Sequence, residues 1–265
     1  MKLSRSEKEF LKNYNIHEFD VPLASVDLCI FSIIDDSLKV LLIKRGDYPF
    51  KARWALPGGF VDTQQDKSLE ATAIRKLKEK TGVKTPYVEQ VETIGTGQRD
   101  PRGWSMTVLY FALLAAPNEL LQPQNPQLSA QLSTQLSAQS QQVQKPQVKG
   151  SQETIQWVSI QEAKDIPLAF DHLELLDKAI IRLRNKVSYT TLPIHILPKQ
   201  FTLAELQKAY EIIMGRKVEK KSFRRRIDAA DLLVETGELL QDGGRPAKLY
   251  YIKAGAETHF YNRTI

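Results

Sequence analysis

Cysteine occurs once in this 265-residue chain, as Cys29, so an internal disulfide is excluded and a reducing compartment is expected. It lies in the apolar run Leu28-Cys29-Ile30-Phe31, where a small buried hydrophobe is expected rather than a nucleophile. Histidine is scarce too, four in all. No His/Cys cluster has metal-ligand spacing, so no zinc site and no bound metal are predicted. His172 and His195 read as structural, His172 also as a neighbour of a ligand. The longest apolar run, Leu109 to Ala116, falls far short of the roughly 20 residues of a membrane span. The first residues, Met1-Lys2-Leu3-Ser4-Arg5-Ser6-Glu7-Lys8-Glu9, mix charges and lack the apolar core of a secretory leader. Together these absences predict a soluble, cytoplasmic protein with no membrane partner.

What is present is enough apolar residue, 42%, to exclude a wholly disordered chain, and an uneven charge. The net charge is +6. Seven basic residues between Arg216 and Arg226 (Arg216, Lys217, Lys220, Lys221, Arg224, Arg225, Arg226), set against Glu219 alone, hold as much charge as the chain's whole excess. A solvated helix face is the plain reading of a charge run. Such concentration favours nucleic acid.

Periodicity divides the chain. Ala24–Ile34 and Leu38–Lys44 read as a hairpin about Asp35-Asp36-Ser37. Trp54-Ala55-Leu56 runs into the Pro57-Gly58-Gly59 turn. Ser68–Thr81 reads as a helix with Leu69, Ala73 and Leu77 as its buried face, closed by Gly82. Tyr87–Ile94, Ser105–Leu114 and Thr154–Ser159 are predicted strands, and Asp171–Asn185 an amphipathic helix. Residues 120–152 are rich in Gln, Ser and Pro, with tandem Leu-Ser-Ala-Gln-like tetrapeptides. They read as a flexible insertion, or as a marginal helix over the repeats, within one α/β domain spanning 1–187. A second domain, 188–265, follows. Phe201–Gly215 is a helix with a capping box of Thr202 and Glu205. After a short turn comes a second helix, Glu219–Glu235, and then a hairpin whose basic, glycine-rich tip holds Arg245, with Lys248 beyond it. This is the order of a winged helix-turn-helix.

Gly59 to Val83 resembles the Nudix box, whose clustered glutamates gather Mg²⁺ against a pyrophosphate and activate water. Glu79 is in place, but the flanking positions on that helix face are Lys76 and Lys80. The earlier glutamate has no counterpart at Gln65 or Lys67, since the loop is two residues longer than the pattern. The local charge shifts from about −3 to about +1, which opposes a divalent cation. No catalytic residue is therefore expected. The segment serves either as scaffold alone or as a site where Lys76 and Lys80 meet phosphates directly. In Arg99-Asp100-Pro101-Arg102-Gly103-Trp104, two guanidiniums suit phosphate and the indole suits a base. A surface turn pinned by Asp–Arg pairing would look the same.

These stretches, with Trp54–Asp62 and Pro167–His172 in the first half and Phe201–Leu206, Lys221–Arg226 and Gly244–Ala247 in the second, resemble the Nudix-related transcriptional regulators (NrtR). The likeness covers nearly all the chain except 120–152. It implies an α/β/α Nudix sandwich with a mixed sheet, followed by a winged helix. It implies a repressor of NAD synthesis or salvage genes in the bacterial cytoplasm, associated with the nucleoid. The effector would be ADP-ribose or a related nucleotide, with no cofactor. The partner would be double-stranded DNA, a palindromic operator gripped by a homodimer. Some relatives are similar to sugar-pathway regulators instead. Carried onto this sequence, the ligand would meet Arg45, Arg53, Trp54, Gly58, Gly59, Phe60, Arg75, Lys76, Glu79, Lys80, Arg99, Asp100, Arg102 and Trp104. DNA would meet Lys220, Lys221, Ser222, Arg224, Arg225, Arg226, Arg245 and Lys248, with Phe223 and Ile227 facing the core. The connector Lys186–Lys199 is the expected place for ligand to change the domain geometry. Two rival readings remain: an active hydrolase of a nucleotide sugar, and a Gln-rich scaffold.

Overall fold

The computed structural model describes residues 4–82, 87–115, 154–241, 246–257 and 259–261. The Gln-rich stretch 120–152 and the hairpin tip with Arg245 lie outside the described residues.

The spine is β1 (Leu23–Ile34), long because its apolar run has no breaker. One edge pairs in parallel with β6 (Ser105–Leu113). The other edge is shared, its start by β4 (Gly58–Phe60) and its end by β2 (Ser37–Lys44), both antiparallel. The β1–β2 turn is the two-residue kind that needs left-handed backbone at both positions, and Asp35 and Asp36 supply it at φ 51° and 57°. β3 (Trp54–Ala55) and β7 (Ile155–Ser159) flank β2, and β5 (Tyr87–Thr96) flanks β6. The sheet is therefore mixed.

Its central strands bury both faces, the condition for helices on either side. Val26, Leu28 and Ile30 pack with Ala73 and Leu77 of α2 (Leu69–Thr81). Cys29 and Phe31 point the other way, into the core completed by Leu175, Leu176, Ala179, Ile180 and Leu183 of the later helix His172–Val187. Leu69, expected inside, is 40% exposed, and Thr72 is buried in its stead. Two short helices have no counterpart in the sequence pattern: α1 (Arg5–Asn13), and α3 (Ile160–Asp165), which starts on a Ser159–Glu162 capping box. The helix His172–Val187 is α4. No helix among the described residues is long and apolar enough to cross a membrane.

The second unit carries α5 (Leu203–Met214), α6 (Lys220–Ala230) and a three-stranded sheet of β8 (Phe201–Thr202), β10 (Ala247–Ile252) and β9 (Leu233–Leu240). The Thr202–Glu205 capping box is present, and Gly215 ends α5 in left-handed backbone. The second helix stops five residues short of the expected end. Asp231 takes the left-handed conformation at φ 49°, and Leu233 and Val234 pair with Ile252 and Tyr251 instead. Three consecutive apolar residues, Leu232-Leu233-Val234, cannot all face one side of a helix, and the β10 ladder gives their backbone partners.

The connector Lys186–Lys199 begins as the last turn of α4 and is largely packed. Thr190, Thr191, Leu192, Pro193, Ile194 and Ile196 are buried. The Thr191 amide donates to the His259 carbonyl at 3.0 Å, and the Tyr261 amide to that of Tyr189 at 2.8 Å. One hydrophobic cluster runs from the α4 face of the sheet through Leu192 and Ile196 to Tyr210, Phe223 and Ile227.

Candidate functional site

Where β4 crosses β1, a side chain at Gly58 would overlap the Asp27 carboxylate and the Val26 carbonyl, so glycine is required there. Asp27 begins a buried polar cluster. Arg99 reaches it from the 97–104 loop with Nη2 at 3.2 Å, while Nε and Nη2 bind both oxygens of Asp171 at 2.9 and 3.0 Å. His172 accepts the Leu56 amide at Nδ1, 2.9 Å, and burial lowers its pKa, which keeps the imidazole neutral. The guanidinium of Arg99 is thus held by two carboxylates and its side chain is only 7% exposed.

Beside this cluster opens a cavity of about 270 Å³ lined by Phe50, Gln98, Arg99, Pro101, Phe170 and Asp171. Phe50 and Phe170 meet edge to face at 4.8 Å. Both carry left-handed backbone, φ 61° and 55°, and Ala52 beside them has φ 66°. Bulky residues rarely hold that conformation, and such strain gathers at ligand sites. Cations surround the rings. Arg45 lies 4.8 Å from the Phe170 centroid, Arg53 5.6 Å from that of Phe50, and Arg102 5.0 Å from that of Phe60. Arg102 also pairs with Asp100, whose carboxyl it holds below the usual range, and lines a wider cavity of about 530 Å³ with Leu23 and Trp104. The Trp104 indole rests against Gly95, where a β-carbon would come within 2.9 Å of it, and is 53% exposed. Trp54, by contrast, is half-buried in β3, where its carbonyl takes the Ala169 amide. The arrangement suits a ligand with an aromatic ring and several negative charges.

Just before α2, Asp66 has a side chain only 3% exposed and receives Arg75 at 2.7 and 2.6 Å, Thr72 at 2.9 Å and the Asp62 amide at 2.9 Å. The Arg75 hydrogen bonds drive its pKa far down. Spacing points to Gln65 and Lys67, one residue to either side, and misses this carboxylate. The loop's extra length shifts it out of register, and no signal other than its acidity marks it. Glu79 takes Arg75 at 2.9 Å and Lys76 at 2.9 Å. Burial pushes Glu79 up, but the two cations outweigh it and the group stays below its ordinary pKa. Lys76 also lies over Gly59, while Lys80 is half-buried one turn along. Among the described residues no three His, Cys, Asp or Glu side chains gather as a metal site. Phe170 and Asp171 of the cleft lie in the family-like stretch 167–172, without a role that the sequence assigns them, and no sequence motif singles out Phe50 or the adjoining Asp27.

In the second unit, Phe223 and Ile227 anchor α6, Phe223 against Tyr210 at 5.3 Å. Glu219 caps it, accepting from the Lys221 and Ser222 amides. Lys220, Lys221, Arg224 and Arg225 are exposed and Ser222 is half-buried. Arg226 is half-buried on another face, near Tyr210 and Tyr261, whose phenols burial raises against the opposing pull of its charge. Lys248 pairs with Glu235 across the wing at 2.9 Å.

Comparison with known proteins assigns the same two parts. Residues 25–179 match the Nudix domain and 193–252 the NrtR DNA-binding winged helix domain. The chain is 46% identical over 245 residues to the ADPR responsive transcriptional repressor NtrR of Acinetobacter baylyi, covering 92% of this chain and 88% of that one. The crystal structure of Shewanella oneidensis NrtR complexed with a 27mer DNA superposes with a TM-score of 0.74 at 39% identity, covering 91% of this chain and 99% of that one. The Nudix domain of the same protein complexed with ADP ribose gives a TM-score of 0.52 at 39% identity, over 67% of this chain and 98% of that one.

Proposed function

This chain belongs to the NrtR family, and on that premise we propose that it is a DNA-binding transcriptional repressor that answers to ADP-ribose or a related nucleotide. Residues 1–187 form the sensor and 188–265 the DNA-binding domain. The observation that carries the reading is α6. Four cations, Lys220, Lys221, Arg224 and Arg225, face solvent on a helix whose opposite face is locked into the core by Phe223 and Ile227. A rigid helix with a cationic outer face fits the major groove, arginine reading guanine edges and lysine the phosphates. A homodimer would set two such helices on a palindromic operator. The genes under control are those of NAD synthesis or salvage, and the place of action is the bacterial cytoplasm at the nucleoid.

In the sensor, the ligand's aromatic ring lies with Phe50, Phe170 and the open Trp104 face. Its phosphates meet Arg45, Arg53, Arg99, Arg102, Lys76 and Lys80 around Gly58, Gly59 and Phe60. Hydrolysis is absent on this reading, since Glu79 is already neutralised by Arg75 and Lys76 and has no carboxylate at position 76 or 80 to share a cation with. The ligand binds as an effector, with no cofactor.

The test is fluorescence anisotropy on a duplex that the protein itself selects from a random library, titrated with salt and with ADP-ribose. Tight binding that weakens by about 10³–10⁵ from 50 to 200 mM salt is expected for ~6–10 phosphate contacts, with release by ADP-ribose. Selection of no duplex, together with conversion of ADP-ribose to AMP and ribose 5-phosphate in Mg²⁺, would establish the hydrolase reading instead.

A further inference from the structure

We propose that Asp171 is the positioning residue through which ligand binding reaches the DNA-binding unit, with α4 as the rigid element that carries the change. The proposal rests on the ADP-ribose reading above. Asp171 stands at the N-cap of α4, yet its side chain makes no capping hydrogen bond. Its carboxylate is turned away to Arg99, at 2.9 and 3.0 Å. The residue thus has two exclusive uses: pairing with Arg99, or accepting from the free amides of the first helical turn, as an aspartate at this position ordinarily does.

Arg99 and Asp171 both line the cavity between Phe50 and Phe170, so an anion entering it meets this guanidinium. Arg99 also faces Asp27, so one guanidinium is shared by two carboxylates, beside a His172 whose pKa burial lowers and with the Arg45 charge nearby. A diphosphate can take a guanidinium by the same two-pronged hydrogen bonding as a carboxylate, and brings more negative charge than either carboxylate alone. When it takes Arg99, Asp171 loses its partner inside a poorly solvated cluster and turns to the α4 amides. Two states of one side chain, only one compatible with bound ligand, are what a coupled equilibrium requires.

The far end of α4 lies against the helix-turn-helix. α4 has 16 residues, about 24 Å at 1.5 Å per residue. At its last turn Arg184 donates Nε to the Ile213 carbonyl at 3.1 Å, in the final turn of α5 just before the turn into α6. Beyond it, the Tyr210 hydroxyl donates to the Thr190 carbonyl at 2.6 Å. A shift of α4 at Asp171 therefore acts on the segment that sets the angle of the recognition helix, with no flexible linker to absorb it.

The experiment measures duplex affinity with and without saturating ADP-ribose, and ADP-ribose affinity with and without duplex, for the wild type, Asp171→Asn and Arg184→Met. The duplex is one selected by the wild-type protein from a random library. The wild type is expected to lose about tenfold or more in duplex affinity on adding ADP-ribose, a usual size for coupling between sites. Asp171→Asn weakens the hold on Arg99 and imitates the liganded state. It is expected to bind duplex more weakly without ligand, to bind ADP-ribose more tightly, and to show a ratio below about threefold. Arg184→Met lies outside the cleft. It is expected to bind ADP-ribose as the wild type does and yet to lose most of the ratio. A merely structural role would lower the melting temperature and leave the ratio in place. A responsive wild type whose two variants respond equally well overturns this proposal alone. A wild type indifferent to ADP-ribose overturns the sensor reading and this proposal with it.

Discussion

Asp66 and Arg75 form the best-buried ion pair of the α2 face, the carboxylate only 3% exposed and bound by two guanidinium nitrogens at 2.6 and 2.7 Å. The pair ties the loop before α2 to the helix itself, because Asp66 also takes the Thr72 hydroxyl and the Asp62 amide. Asp66→Asn keeps the shape and removes the charge, leaving Arg75 with Glu79 alone. It is expected to cost about 2–3 kcal/mol, the usual loss when one partner of a buried charged hydrogen bond is removed. Urea unfolding at neutral pH measures it. An unchanged midpoint would mean that the loop is held by other interactions.

The α6 face separates two kinds of arginine. Arg224→Ala and Arg225→Ala should each weaken duplex binding, and the salt slope should fall by about 1 for every phosphate left without its cation. Arg226→Ala should leave that slope as it was, since Arg226 is half-buried where Arg224 and Arg225 are exposed. Anisotropy at several salt concentrations checks all three. A slope that drops in Arg226→Ala places that side chain on the nucleic acid after all.

The strained aromatic pair of the cleft gives a ligand prediction. Phe170→Ala removes the ring that meets Phe50 at 4.8 Å and stacks with Arg45 at 4.8 Å. ADP-ribose affinity should fall about tenfold, since aromatic pairs add about 0.5–1.5 kcal/mol beyond the area they bury. Calorimetric titration reads it directly. Binding unaffected by the change would move the ligand's ring away from this cleft, toward Trp104.

Acid should destabilise the protein through its buried imidazoles. Burial lowers the pKa of both His172 and His195 from 6.5. Below about 6.5 the unfolded chain binds protons that the folded one does not. The stabilisation is therefore complete above about pH 6.5 and is lost as pH falls toward the folded values. His172→Asn keeps an acceptor for the Leu56 amide without the titration, and its melting temperature should fall less than the wild type's between about pH 7.5 and 5.5. Parallel curves for the two proteins would show that His172 titrates normally.

How much is legible in the sequence varies with the range of the interaction responsible. The elements of the first half follow from local periodicity: β1 from the apolar run at 24–34, and α2 from Ser68 and Gly82 as its caps; α5 follows likewise from the Thr202–Glu205 box. The basic patch is visible because charge density is itself a one-dimensional property. Asp66 escapes because a spacing rule fails when a loop is two residues longer, although space tolerates the difference. Phe50 escapes, and the family-like stretch around Phe170 shows no role for that ring, because their shared cleft joins residues 120 apart in sequence and no local pattern announces left-handed backbone at a phenylalanine.

Local sequence chemistry determined by itself where most helices and strands begin, that the α2 face bears two lysines about one glutamate, and that cationic charge gathers on the second helix of the C-terminal unit. Only the tertiary structure decided what each charge does. Arg99, read as a phosphate contact, is also held by Asp27 and Asp171; Arg226 is half-buried while Arg224 and Arg225 are exposed; and the connector carries Leu192, Ile194 and Ile196 into one continuous core. The physical reason is that helix and strand preferences come from neighbours three or four residues away. The partner of a buried charge comes from wherever the fold brings an opposite charge within hydrogen-bonding reach, here 72 residues distant on either side of Arg99.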